Sequence, residues 1–128
     1  MSLNETGQAA MSYFVAEKAP GMDFADKWNP RGELNLVWAD KIEVALRKFG
    51  RKVRTQSKQI ALELLDYLIA NGAYETRENE YGGEMHSFRQ AEYKKAIAKL
   101  QENDPLIQEA KNGGDDFWQS KFAELTDV

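Results

Sequence analysis

A chain of 128 residues, 42% hydrophobic and 11% aromatic, carries enough apolar material for one buried core, and 30% charged residues falls short of a disordered profile. The absence of cysteine excludes disulfides, thiolate nucleophiles and Cys-based zinc or iron–sulfur sites, while a lone histidine, His86, excludes a His-rich metal site within one chain. A net charge of −4 argues against wholesale coating of nucleic acid but leaves room for a local basic face.

The first element is an amphipathic helix over Asn4 to Lys18, because Ala9, Ala10, Tyr13 and Phe14 recur with helical rhythm. Pro20 and Gly21 end it, and a loop or short helical turn follows through Phe24 and Trp28, punctuated by Pro30 and Gly32. A second helix is predicted over Leu34 to Phe49, with Leu34, Val37, Trp38, Ile42, Ala45, Leu46 and Phe49 on one stripe. Gly50 is placed to stop it, since glycine takes the left-handed C-terminal conformation without strain. The third helix carries Ile60, Ala61, Leu64, Leu65, Leu68 and Ile69, with Thr55 or Ser57 as cap and Gly72 as terminator.

Residues Ala73 to Phe88 suit a hairpin, with Gly82-Gly83 supplying the tight turn. Ser87 and Gln90 have capping-box spacing, which predicts a fourth helix bearing Tyr93, Ala96, Ile97 and Leu100. Asp104-Pro105 starts a short helix, Asn112-Gly113-Gly114 breaks it, and Trp118, Phe122 and Leu125 mark a final amphipathic segment. The expected fold is mainly α: a compact helical domain with a helix-turn-helix-like centre and one small hairpin. A single domain over 1–128 divides into an N-terminal helix and loop (1–33), central helices and hairpin (34–102) and a C-terminal helical segment (103–128).

The charge is unevenly spread. Lys41, Arg47, Lys48, Arg51, Lys52, Arg54 and Lys58 are opposed locally only by Glu43, giving +6 against −10 for the remainder. Such a cluster near a helix start suits phosphate binding, because backbone N–H groups add to the cationic side chains. Thr55, Gln56, Ser57 and Gln59 beside it are able to donate to phosphates or base edges. Helix, turn, helix and hairpin is also the order of a winged-helix module, although Gly50 to Gln56 is longer than the usual three- to four-residue turn. The competing explanation is a set of solvated charges paired with Glu43, Glu63 or Asp66 and complementing a helix dipole.

Other constellations are less informative. His86 lacks the partners of a general base, and a surface or hairpin role suits it better. Asp115-Asp116 reads as helix capping rather than a cation site, the Asp-x-Asp-x-Asp-Gly pattern being absent. The Trp118, Phe122 and Leu125 stripe has two destinations, packing on its own domain or docking on a partner, of which packing is the more ordinary.

The leading expectation is therefore a non-enzymatic binding protein contacting nucleic acid through Arg47, Lys48, Arg51, Lys52, Arg54 and Lys58, with Arg77 or His86 adding a phosphate contact. The alternative is a small protein-interaction factor (an adaptor, assembly component or inhibitor of the kind phages and viruses encode) with Trp118, Phe122 and Leu125 at the partner surface. Neither expectation involves a metal or cofactor. No apolar run approaches the roughly 20 residues of a membrane span, and no basic leader precedes an apolar block, so a cytoplasmic location is expected.

Overall fold

A computed structural model describes residues 3–22, 29–30 and 33–126, with the side chains of 29–30 and 33–35 left aside. In chain order the helices are α1 (Glu5–Glu17), α2 (Glu33–Leu46), α3 (Arg51–Arg54), α4 (Ser57–Ala70), α5 (Gln90–Asn103), α6 (Pro105–Lys111) and α7 (Phe117–Thr126). Three strands, β1 (Asn29–Pro30), β2 (Tyr74–Glu78) and β3 (Glu84–Phe88), form an antiparallel sheet in the order β1-β3-β2. The chain is thus mainly helical with a small sheet, and helix, turn, helix, hairpin follow one another as the sequence pattern predicts.

The amphipathic pattern places α1 at the centre. Asn4 caps its start by accepting a hydrogen bond from the Gly7 amide at 2.8 Å. Its buried face, including Ala9, Ala10, Tyr13, Phe14 and Val15, lets it pack on α2, α4, α5, α6 and α7. The most extensive helix pairing joins α2 to α4. Trp38 anchors the layer between them and the sheet, with ring centroids 5.9 Å from Phe14, 5.5 Å from Phe88 and 6.2 Å from Tyr93. One connected core cluster runs from Leu3 to Phe122.

The connection between the central helices differs from expectation. A 3-10 turn over Arg47–Phe49 extends α2, Gly50 breaks it with φ at +97°, and the one-turn α3 fills most of what reads as a long turn. Only glycine adopts that backbone without strain. Neither Thr55 nor Ser57 caps α4, whose N-cap position falls on Gln56 in helical conformation. The Thr55 hydroxyl donates to the Lys52 carbonyl and that of Ser57 to the Arg54 carbonyl. These residues sit at the end of α3, where carbonyls need donors, so the hydroxyls turn back.

A second correction concerns the capping box. Ser87 is buried inside β3, and Arg89, without a side-chain cap bond, precedes α5. The Gln90 side chain donates to the Met22 carbonyl at 3.1 Å, tying α5 to the end of the α1 segment. The pattern is local, whereas β3 continues to Phe88 because Tyr74 and Phe88 pair across the hairpin. Asp104 caps α6 as its position before Pro105 predicts, accepting from the Leu106 amide at 2.9 Å. Pro30 lies in β1 on an outer strand, where a missing N–H is tolerated. The expected loop through Phe24 and Trp28 falls outside the described residues, as does any core role of Trp28.

Buried Tyr93 donates its hydroxyl to the Ala19 carbonyl at 2.6 Å, and burial pushes its pKa above the ordinary 10.0. Because the folded state holds this proton more tightly, its contribution is complete below the unfolded pKa and declines as pH rises beyond it. Unfolding followed between pH 9 and 11, roughly bracketing that value, should show stability falling at the alkaline end. Tyr93→Phe should flatten that fall while lowering neutral stability by about 1–3 kcal/mol, through the unsatisfied carbonyl.

Candidate functional site

The basic segment is divided by the fold. Arg47 and Arg54 converge on one carboxylate, with Arg47 Nε 3.7 Å and Arg54 Nη1 3.3 Å from Glu43 Oε1. Lys48 turns the other way and lies over the Tyr13 and Phe49 rings, its Nζ 5.2 and 5.1 Å from their centroids. Lys52 reaches the end of α7, donating to the Thr126 carbonyl at 3.3 Å. Arg51 and Lys58 are exposed and form no ion pair among the described residues. Lys48 is thus drawn onto core rings and Arg47 and Arg54 onto Glu43, while Arg51, Lys52 and Lys58 stay exposed.

Arg54 and Lys58 border a cleft of about 350 Å³ with Leu36, Ala39, Asp40, Glu43, Thr55 and Ser57. Two carboxylates against two cations leave it without net positive character. The outer side of α4, the helix a winged-helix arrangement would present to a duplex, carries exposed Leu62, Asp66 and Ile69. Those three fall on one face at helical spacing. The hairpin opposes Glu75, Glu78, Glu80 and Glu84 to Arg77, a balance that repels phosphates. His86 is buried rather than at the surface, its Nδ1 paired with the Tyr74 hydroxyl and its Nε2 3.8 Å from Glu84 Oε2. That placement removes it as a phosphate contact.

The C-terminal stripe also resolves toward packing. Trp118 and Phe122 are 8% and 1% exposed and gather around Tyr13, with ring centroids at 5.6 and 6.4 Å. Phe122 lies 4.4 Å from Phe49 and Leu125 is half-buried against the same core. An apolar stripe buried in its own domain does not offer a partner surface.

The concave region lies where these packings meet. One cleft, of about 760 Å³, opens between α1 and α2 and is lined by Phe14, Met22, Val44 and Ala45, with Lys18, Lys41 and Lys48 around them. A neighbouring cleft of about 440 Å³ lies toward α6 and α7, lined among others by Phe49, Lys111, Asp115 and Trp118. Both include Tyr13, Glu17, Lys18 and Lys48, so they adjoin at that junction. Lys18 follows α1, Lys111 ends α6 and Lys48 lies in the turn extending α2. Cations at these positions complement helix C-termini, which accounts for their collecting here.

Glu17 and Asp40 share the larger cleft, and Glu17 Oε1 accepts from Trp118 Nε1 at 3.3 Å. The aromatic rings beneath are edge-packed and buried, while Val44 is 54% exposed. The groove therefore presents exposed Val44 between rims of three lysines and two carboxylates rather than open rings for base stacking. Among the described residues no group of three or more His, Asp or Glu side chains is arranged to hold a metal ion, and no helix is long and apolar enough to cross a membrane. Of the groove lysines, sequence reasoning singled out Lys48 and included Lys41 in the basic segment, but missed Lys18 and Lys111, whose only signal is position at predicted helix ends. No protein-family model matches the chain, and no curated protein or solved structure matches it at a significant level.

Proposed function

We propose that the protein is a non-catalytic binding module whose working surface is the groove between α1 and α2, continued toward α7, and whose ligand is an acidic, partly apolar segment of another protein. The observation that carries this reading is the combination of Lys18, Lys41 and Lys48 with exposed Val44 in one 760 Å³ cleft. An amphipathic helix lays apolar anchors in such a cleft and sets carboxylates against the lysines. Calorimetric titration with a designed helix bearing leucines on one face and glutamates on the other should show binding that weakens with salt. Lys48→Glu should reduce affinity by on the order of tenfold, whereas Lys95→Glu, on the exposed face of α5, should leave it unchanged. No heat of binding, or equal affinity for all three proteins, would reject the groove.

Nucleic-acid contact through the corner of α3 and α4 is the second reading, favoured by the exposure of Arg51, Lys52 and Lys58. Filter binding of duplex DNA and single-stranded RNA at low salt tests it. Arg51→Glu with Lys58→Glu should abolish any retained complex if that corner is the contact.

A further inference from the structure

We propose that β2 is a self-complementary edge strand through which two copies of the chain associate. In the sheet order β1-β3-β2 this strand has β3 on one side and no strand on the other among the described residues. Thr76, Arg77 and Glu78 are exposed, and the strand itself contains neither proline nor bulge to blunt its edge.

The hairpin geometry fixes which backbone groups point outward. Asn79 N–H donates to the Gly83 carbonyl and Arg89 N–H to the Ala73 carbonyl, both at 2.8 Å. With the observed register, the hydrogen-bonded pairs alternate as Ala73/Arg89, Glu75/Ser87, Arg77/Met85 and Asn79/Gly83. Tyr74, Thr76 and Glu78 consequently turn their N–H and C=O groups to the outer edge.

A second β2 pairing antiparallel about a two-fold axis has three central registers. Centring on Glu75 opposes two glutamates at the close, non-hydrogen-bonded spacing, and centring on Arg77 opposes two arginines in the same way. Centring on Thr76 avoids both. It makes Thr76 a hydrogen-bonded pair with its copy, places Tyr74 opposite Glu78, and sets Glu75 against Arg77 twice at the close spacing. Opposite charges there favour this register, and the two-fold symmetry makes the interface closed rather than fibre-forming. Five-residue strands bury little area, so the dimer is a weak one, formed at high micromolar concentration. This pairing does not depend on the groove.

Sedimentation velocity of the full chain over a rising concentration series tests the pairing. The wild type should move from monomer to dimer. Thr76→Pro should remain monomeric with an unchanged circular dichroism spectrum, because proline removes an N–H that β3 does not use. Glu75→Arg and Arg77→Glu should each be monomeric alone, yet form a dimer when mixed in equal amounts, since both close-spaced contacts between positions 75 and 77 are then of opposite sign. A wild type monomeric throughout the series, a dimer that survives Thr76→Pro, or a mixture that stays monomeric would overturn the proposal.

Discussion

Trp38→Ala is expected to lower the free energy of unfolding by about 3–5 kcal/mol and the melting midpoint by roughly 10–20 °C. The indole is fully buried and is the ring against which α1, β3 and α5 all meet, through Phe14, Phe88 and Tyr93. Truncation removes apolar surface from the core and leaves a cavity walled by three further elements, so collapse around it is incomplete. A domain of this size has roughly 5–15 kcal/mol of total stability, and the variant should therefore sit close to its unfolding threshold at physiological temperature. Chemical denaturation reads this directly. A loss below about 1 kcal/mol would mean that the sheet and α5 do not share a core with α1.

Phe122→Ala should lower stability by a comparable amount, about 3–5 kcal/mol. Phe122 seals α7 against Tyr13 and Phe49, and its neighbour Trp118 completes the cluster. Lys52 and the Thr126 carbonyl join the same helix to α3 at the surface, an exposed contact worth little by itself. Loss of Phe122 should therefore free α7 before the rest of the domain unfolds, and amide hydrogens of Ser120 to Glu124 should exchange fastest. If the stripe instead awaited a partner, the substitution would change stability by less than about 0.5 kcal/mol, as surface changes do.

The elements with strong periodicity were legible in the chain itself. Ile60, Leu64 and Leu68 report a buried face through spacing alone, and Gly82 takes a positive φ of 79° in the hairpin turn, as a tight connection requires. What escaped was set by distant contacts. β1 is two residues long and exists because β3 offers it an edge, while α3 converts an apparent turn into helix. Ser87 lies inside β3 rather than at the N-cap of α5, and the Gln90 side chain reaches a carbonyl 68 positions away.

The same division holds for the site. A run of cations is visible in sequence, but its sharing of Glu43 by Arg47 and Arg54, eleven positions from the latter, depends on how α3 folds back. The lysine-rimmed groove joins residues from Lys18 to Lys111, and no local pattern links them. Charge clustering along the chain therefore points to the end of α2, whereas the larger cleft is lined by Lys41, Val44 and Lys48 of that segment together with distant Lys18.

The most direct measurement of the binding account is an amide chemical-shift map of the protein titrated with the leucine–glutamate helix. Shifts concentrated at Lys18, Lys41, Val44 and Lys48, and absent from Arg51, Lys52 and Lys58, are the predicted result. Shifts confined to those three residues, or none anywhere at saturating peptide, would contradict it.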